Sequence, residues 1–137
     1  THYDTGRNMI AMINGAKRYI LSPPKECGSL GLFTKKKTSP VYRHSMLNFG
    51  HVSRLGDPDP VMSAKERGWL ERVAASQAID TVLKKGEVLY IPSHWFHYII
   101  SIQMSAQCNV RSGVDDEGTP EFGNRTDVLQ CKAPNEE

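Results

Sequence analysis

Residues 86–97 run Gly-Glu-Val-Leu-Tyr-Ile-Pro-Ser-His-Trp-Phe-His: a short apolar strand entered through glycine and closed by proline, with two histidines beyond it. Val88-Leu89-Tyr90-Ile91 is β-favouring, Lys85-Gly86 supplies the turn before it, and Pro92 ends it because proline cannot donate to a strand ladder. Upstream, Ile79, Val82 and Leu83 read as the strand that feeds this turn. Downstream, further strands are predicted from His97 to Met104 and from Ala106 to Val110.

Working back toward the start, residues 8–21 form two β-favouring segments broken at Asn14-Gly15, which predicts a β-hairpin. Ser22-Pro23-Pro24 stops the second segment. Residues 25–62 carry Lys35-Lys36-Lys37 and Asp57-Pro58-Asp59-Pro60 with little periodicity and read as mostly surface loop. A helical insertion is predicted over about residues 63–76: Ser63 and Glu66 match a capping box, and Trp69, Leu70, Val73 and Ala74 recur at helical spacing. Trp69 is the expected anchor of that helix against the sheet. Residues 113–137 have no apolar period and read as a surface tail. Many short strands and one helix predict an all-β barrel or sandwich, while the strand–helix alternation of a doubly wound sheet is missing.

The bulk numbers bound the function loosely. At 137 residues one domain is expected. A formal charge of +2 with 23% charged residues gives no case for nucleic acid or an anionic membrane, and no apolar run approaches the roughly 20 residues of a membrane helix. Cys27, Cys108 and Cys131 are too few and too widely spaced for a zinc module or a disulfide scaffold, though they leave room for one disulfide. Asn124-Arg125-Thr126 is a glycosylation triplet that matters only in the secretory pathway. Location therefore stays open between cytoplasm or nucleus and a secretory or organellar lumen.

His2-Tyr3-Asp4 is the first candidate for chemistry, because residues two apart on a strand share a face and bring imidazole and carboxylate together. Two histidines and one carboxylate on one side of an octahedron make the open site of non-haem Fe(II) oxygenases. On its own such a pair near a chain start is more often a solvated surface pair. The third ligand must come from elsewhere, with His97 as candidate, although a histidine among aromatics is often a hydrogen-bonded core residue.

Together these residues resemble the JmjC family and its close cupin relatives, the protein-asparaginyl and tRNA wybutosine hydroxylases among them. In that family the iron ligands lie in a His-x-Asp motif and in a later histidine behind Gly-Asp/Glu-Val-Leu-Tyr-Ile-Pro-x-x-Trp-Trp/Phe-His. Residues 86–97 match almost letter for letter, and the register puts His97 rather than His94 at the ligand position. The likeness spans about residues 1–110. It implies a double-stranded β-helix, the cupin or jelly-roll barrel, with residues 1–112 as its C-terminal part. It also implies Fe(II) held by His2, Asp4 and His97, with 2-oxoglutarate as co-substrate.

Asn8 and Gly15-Ala16-Lys17-Arg18 fall where the family carries an asparagine and a Gly-x-Lys-Arg. The resemblance makes Lys17 the partner of the distal carboxylate of 2-oxoglutarate, with Asn8 and Asn109 as polar neighbours. A lysine reaching into a barrel satisfies a carboxylate whose unpaired burial would be costly. Trp95, Phe96 and Tyr98 are expected in the core. The implied reaction is oxidative decarboxylation of 2-oxoglutarate coupled to hydroxylation, with a protein side chain as the first expectation for the substrate. The alternatives are an inactive cupin serving as scaffold or as interaction subunit of a larger assembly, and a cupin for another divalent ion. The family barrel has strands before His-x-Asp, so a preceding segment or a partner chain is expected to complete it.

Overall fold

A computed structural model describes residues 1–31, 43–45 and 64–112. Its strands are β1 (His2–Tyr3), β2 (Arg7–Asn14), β3 (Ala16–Ser22), β4 (Ile79–Lys84), β5 (Val88–Ile91), β6 (Phe96–Ser101) and β7 (Ala106–Ser112), with one α-helix, α1 (Ala64–Ala74), and a 3-10 turn at Pro24–Glu26. The strands form two antiparallel sheets, in the orders β1-β6-β3-β4 and β5-β2-β7. This is the all-β jelly-roll architecture expected, with α1 inside the predicted insertion. No helix among the described residues is long and apolar enough to cross a membrane.

Strand alternation builds the core. On β2, Asn8, Ile10 and Met12 are buried, and on β3 so are Tyr19 and Leu21. Ile10, Met12, Tyr19, Leu21, Leu83 and Ile91 pack as one cluster between the sheets, with Leu89 and Trp95 at its margin. A second cluster of Tyr3, Cys27, Leu30 and Phe96, with Val73 of α1 against it, covers the other face of the first sheet. Phe96 and His97 are neighbours on β6 and therefore point to opposite faces. Phe96 is fully buried in the second cluster, and His97 pairs with Leu21 on the inter-sheet side.

The structure corrects several expectations. Asn14-Gly15 does not close a hairpin: β2 and β3 belong to different sheets, so the chain turns a corner there. Gly15 has φ +75°, and a Cβ on it would collide with the carbonyl oxygen of Met104 and lie 2.8 Å from the Cα of Ser105. A single residue between the strands is too short for a paired turn, while it lets the inner rows of β2 and β3 face each other.

The start of the segment read as loop is not surface. After the 3-10 turn, Cys27 and Leu30 are buried, and Cys27 is disulfide-bonded while Cys108 is a free, exposed thiol. The strand from His97 is shorter than expected and ends at Ser101, where its ladder with Lys17 runs out. The strand from Ala106 is longer, because Arg7 and Asn8 supply partners for Ser112 and Arg111. Phe96 is core and Trp95 borders it, but Tyr98 is only half-buried. The capping serine, the Trp69 side chain, Lys35–Lys37, the tail and the glycosylation triplet lie outside the described residues.

Candidate metal centre

β1 pairs with β6 in a register that sets His2 opposite His97 and Tyr3 opposite Phe96. Both imidazoles therefore leave the same face of the sheet, and Asp4, two residues after His2, follows them. The Nε2 atoms of His2 and His97 are 3.1 Å apart; Asp4 Oδ1 is 4.0 Å from the first and Oδ2 3.8 Å from the second. One ligand atom from each residue fits within a span of 4.8 Å. His94, the alternative histidine, stands at φ 64° and its backbone N–H donates to the Asp4 carbonyl at 2.8 Å. Its backbone thus ties the segment before β6 to the segment after β1.

The His97 ring is oriented by its other nitrogen: Nδ1 lies 3.2 Å from the Trp95 carbonyl oxygen, which can only accept. With the proton on Nδ1, the Nε2 lone pair is directed at His2 and Asp4. Residues 43–45 flank β1 on its free edge, through Tyr3 N–H to the Arg43 carbonyl and Ser45 N–H to the Thr1 carbonyl. There His44 stacks on His2 at 4.9 Å.

Burial holds both rings neutral. The His2 pKa is pushed down to about 4, first by desolvation and next by His97, against the pull of Asp4. That of His97 is also lowered, by desolvation first, with the Trp95 contact and Asp4 opposing. Asp4 Oδ2 is buried without a hydrogen bond, although the Arg111 guanidinium stands 3.3 Å from it. That ion pair is a Coulombic contact rather than an aligned hydrogen bond, so the oxygen keeps an unused lone pair. Two neutral imidazole nitrogens and a carboxylate converging without enough protons to share are a donor set for a divalent transition-metal ion.

A pH expectation follows for the metal-free protein. The unfolded chain takes up a proton at His2 near pH 6.5 and the folded chain only near 4. Stability from this group is therefore complete above about pH 6.5 and lost as pH falls toward 4. Thermal melts across that range are expected to show a falling melting temperature, reduced in slope in His2→Gln.

The remaining predicted residues line the same inter-sheet space. A hydrogen-bond chain runs from Tyr19 OH to Gln107 Oε1 (2.9 Å), Gln107 Nε2 to Asn109 Oδ1 (2.8 Å) and Asn109 Nδ2 to Asn8 Oδ1 (3.4 Å). Asn8 and Asn109 thus touch. Lys17 falls on the inner row of β3 with Tyr19 and Leu21, half-buried, opposite Ser101. Sequence reasoning missed Tyr19, Gln107, Arg111 and His44. The first three had a signal, since Gln107, Asn109 and Arg111 alternate along β7 and Tyr19 alternates with Lys17. His44 had none, lying in an aperiodic stretch.

With this geometry in place, comparison with known proteins is informative. The sequence profile of the cupin-like domain family matches residues 1–112. Lysine-specific demethylase JMJ31 of Arabidopsis thaliana is 27% identical over 109 residues, covering 80% of this chain and 18% of its own length. tRNA wybutosine-synthesizing protein 5 of Danio rerio is 28% identical over 138 residues, 97% of this chain and 36% of its own. HSPB1-associated protein 1 homolog of Danio rerio is 30% identical over 120 residues, 85% of this chain and 24% of its own. The chain thus spans about a third or less of the length of these relatives.

Proposed function

The chain belongs to the cupin-like domain family, in its JmjC-type branch, and from that premise we propose that it is an Fe(II)- and 2-oxoglutarate-dependent hydroxylase acting on a protein side chain. The observation that carries this reading is the convergence of His2, Asp4 and His97, with a buried Asp4 oxygen that makes no hydrogen bond. His2, Asp4 and His97 would hold the iron, which would supply the oxidative chemistry with co-substrate and oxygen.

The chain's own residues do the rest. The Trp95 carbonyl keeps the proton of His97 on Nδ1, and the His94 amide fixes the Asp4 backbone. Lys17 lies four positions before Leu21, the cross-strand partner of His97, which is about 13 Å along the strand. A lysine side chain and an extended five-carbon dicarboxylate together bridge that length. No carboxylate of the described residues pairs with Lys17, so its ammonium is available to the distal carboxylate of 2-oxoglutarate. Asn8 and Asn109, held together by their amides, offer polar contacts between the two ends.

One observation favours a second reading, an inactive cupin used as scaffold or assembly subunit: Arg111 already gives Asp4 a counter-charge without any metal. The full-length protein, purified anaerobically and loaded with Fe(II), decides between them. Oxygen-dependent conversion of 2-oxoglutarate to succinate, lost in Lys17→Ala, is the expected result. Iron bound at the site with no succinate formed removes the enzyme reading.

A further inference from the structure

Arg111 is the one guanidinium among the described residues that reaches this cluster, 3.3 Å from Asp4 Oδ2. That oxygen is also the Asp4 atom nearest His97 Nε2, at 3.8 Å. Arg111 is placed there by β7, whose register sets it opposite Asn8, two residues beyond Asn109 on the same face. We propose that Arg111 is a charge-coupling residue, which opposes metal uptake by the unliganded protein and is converted to an attractive partner when an anionic co-substrate enters.

This inference rests on His2, Asp4 and His97 being the metal ligands. Its physical basis is sign alone. A divalent cation accepted by Asp4 must share that carboxylate with a permanent positive charge and be repelled by it while the guanidinium stays there. A dicarboxylate entering beside the metal brings negative charge to the same place and turns the guanidinium from a competitor into a donor. Two-thirds of the Arg111 side chain is exposed, so it can leave Asp4 for an incoming anion without unpacking the core. Linkage then makes the effect reciprocal: the anion tightens the metal by the factor by which the metal tightens the anion. The result is a site that holds metal firmly only when its co-substrate is present.

The test is direct titration of Mn(II) into the full-length, metal-free protein, followed by its electron paramagnetic resonance signal, with and without 2-oxoglutarate. Arg111→Gln is expected to bind Mn(II) alone about tenfold more tightly than the unaltered protein. The additional tightening caused by 2-oxoglutarate is expected to shrink by about the same factor, leaving only what direct chelation contributes. Arg111→Lys keeps the charge and is expected to keep most of the coupling, which separates charge from a packing effect. Mn(II) affinity in Arg111→Gln that is unchanged or weaker, or coupling equal to that of the unaltered protein, overturns the proposal while leaving the ligand assignment intact. If the unaltered protein binds no Mn(II) even with 2-oxoglutarate present, the ligand assignment falls and this inference with it.

Discussion

His97→Ala is expected to weaken Fe(II) or Mn(II) binding by at least about a hundredfold, since loss of a ligand exceeds the 10- to 100-fold loss typical of its supporting contacts. Three features of His97 combine here. Its ring is nearly fully buried, its Nδ1 faces a carbonyl that fixes the proton, and its Nε2 meets both other candidate ligands. His94→Asn is the matched control: asparagine tolerates the left-handed backbone at that position and keeps the amide that holds Asp4. Metal affinity there is expected to stay within about threefold, on the ordinary scale of one weak contact. Isothermal titration of both variants checks the pair. Equal losses at the two positions would mean that the register assigned to residues 86–97 is wrong.

The second large effect concerns the corner between the sheets. Gly15→Ala places a methyl group against the backbone of Met104 and Ser105 and asks a non-glycine residue to hold φ +75°. Backbone strain and overpacking each cost roughly 1–3 kcal/mol, so a loss of about 3–5 kcal/mol is expected, a large part of a small domain's stability. Gly86 isolates the first effect from the second: it has φ +86° but open space around the added methyl. Gly86→Ala is expected to cost only about 1–2 kcal/mol. Urea denaturation midpoints of the two variants decide. Similar losses would show that the close approach at Gly15 relaxes at little cost.

The two positions also show where the sequence is legible. His2, Asp4 and His97 could be named as candidates because the motifs that carry the family resemblance are local: a His-x-Asp pair and a twelve-residue segment in which the family's register points to His97 rather than His94. Lys17 and Asn8 were legible through the same resemblance, and the structure finds them on the inner rows of β3 and β2. The corner at Gly15 was not legible, because Asn-Gly has the same local chemistry whether the flanking strands pair with each other or with distant ones. Only the long-range partners settle it, β5 and β7 for β2 and β4 and β6 for β3. Cys27 and Leu30 escaped because a 3-10 turn has no period to read. Arg111 escaped because an arginine on an outlying strand looks like any solvated charge until the carboxylate it meets, 107 positions earlier (111 − 4), is placed beside it.

Strands β3 and β4 are hydrogen-bonded neighbours from Leu21↔Ile79 to Ala16↔Lys84, although residues 23–78 intervene. The entropy of closing so long a connection rises only logarithmically, by about 0.6 kcal/mol for each doubling of length. Such a connection can therefore change in length while the ladder between β3 and β4 stays in register. Among the described residues the excursion is tied back at a few points only, where residues 43–45 border β1 and where Cys27, Leu30 and Val73 meet Tyr3 and Phe96, and at those points a change of sequence reaches the candidate ligands.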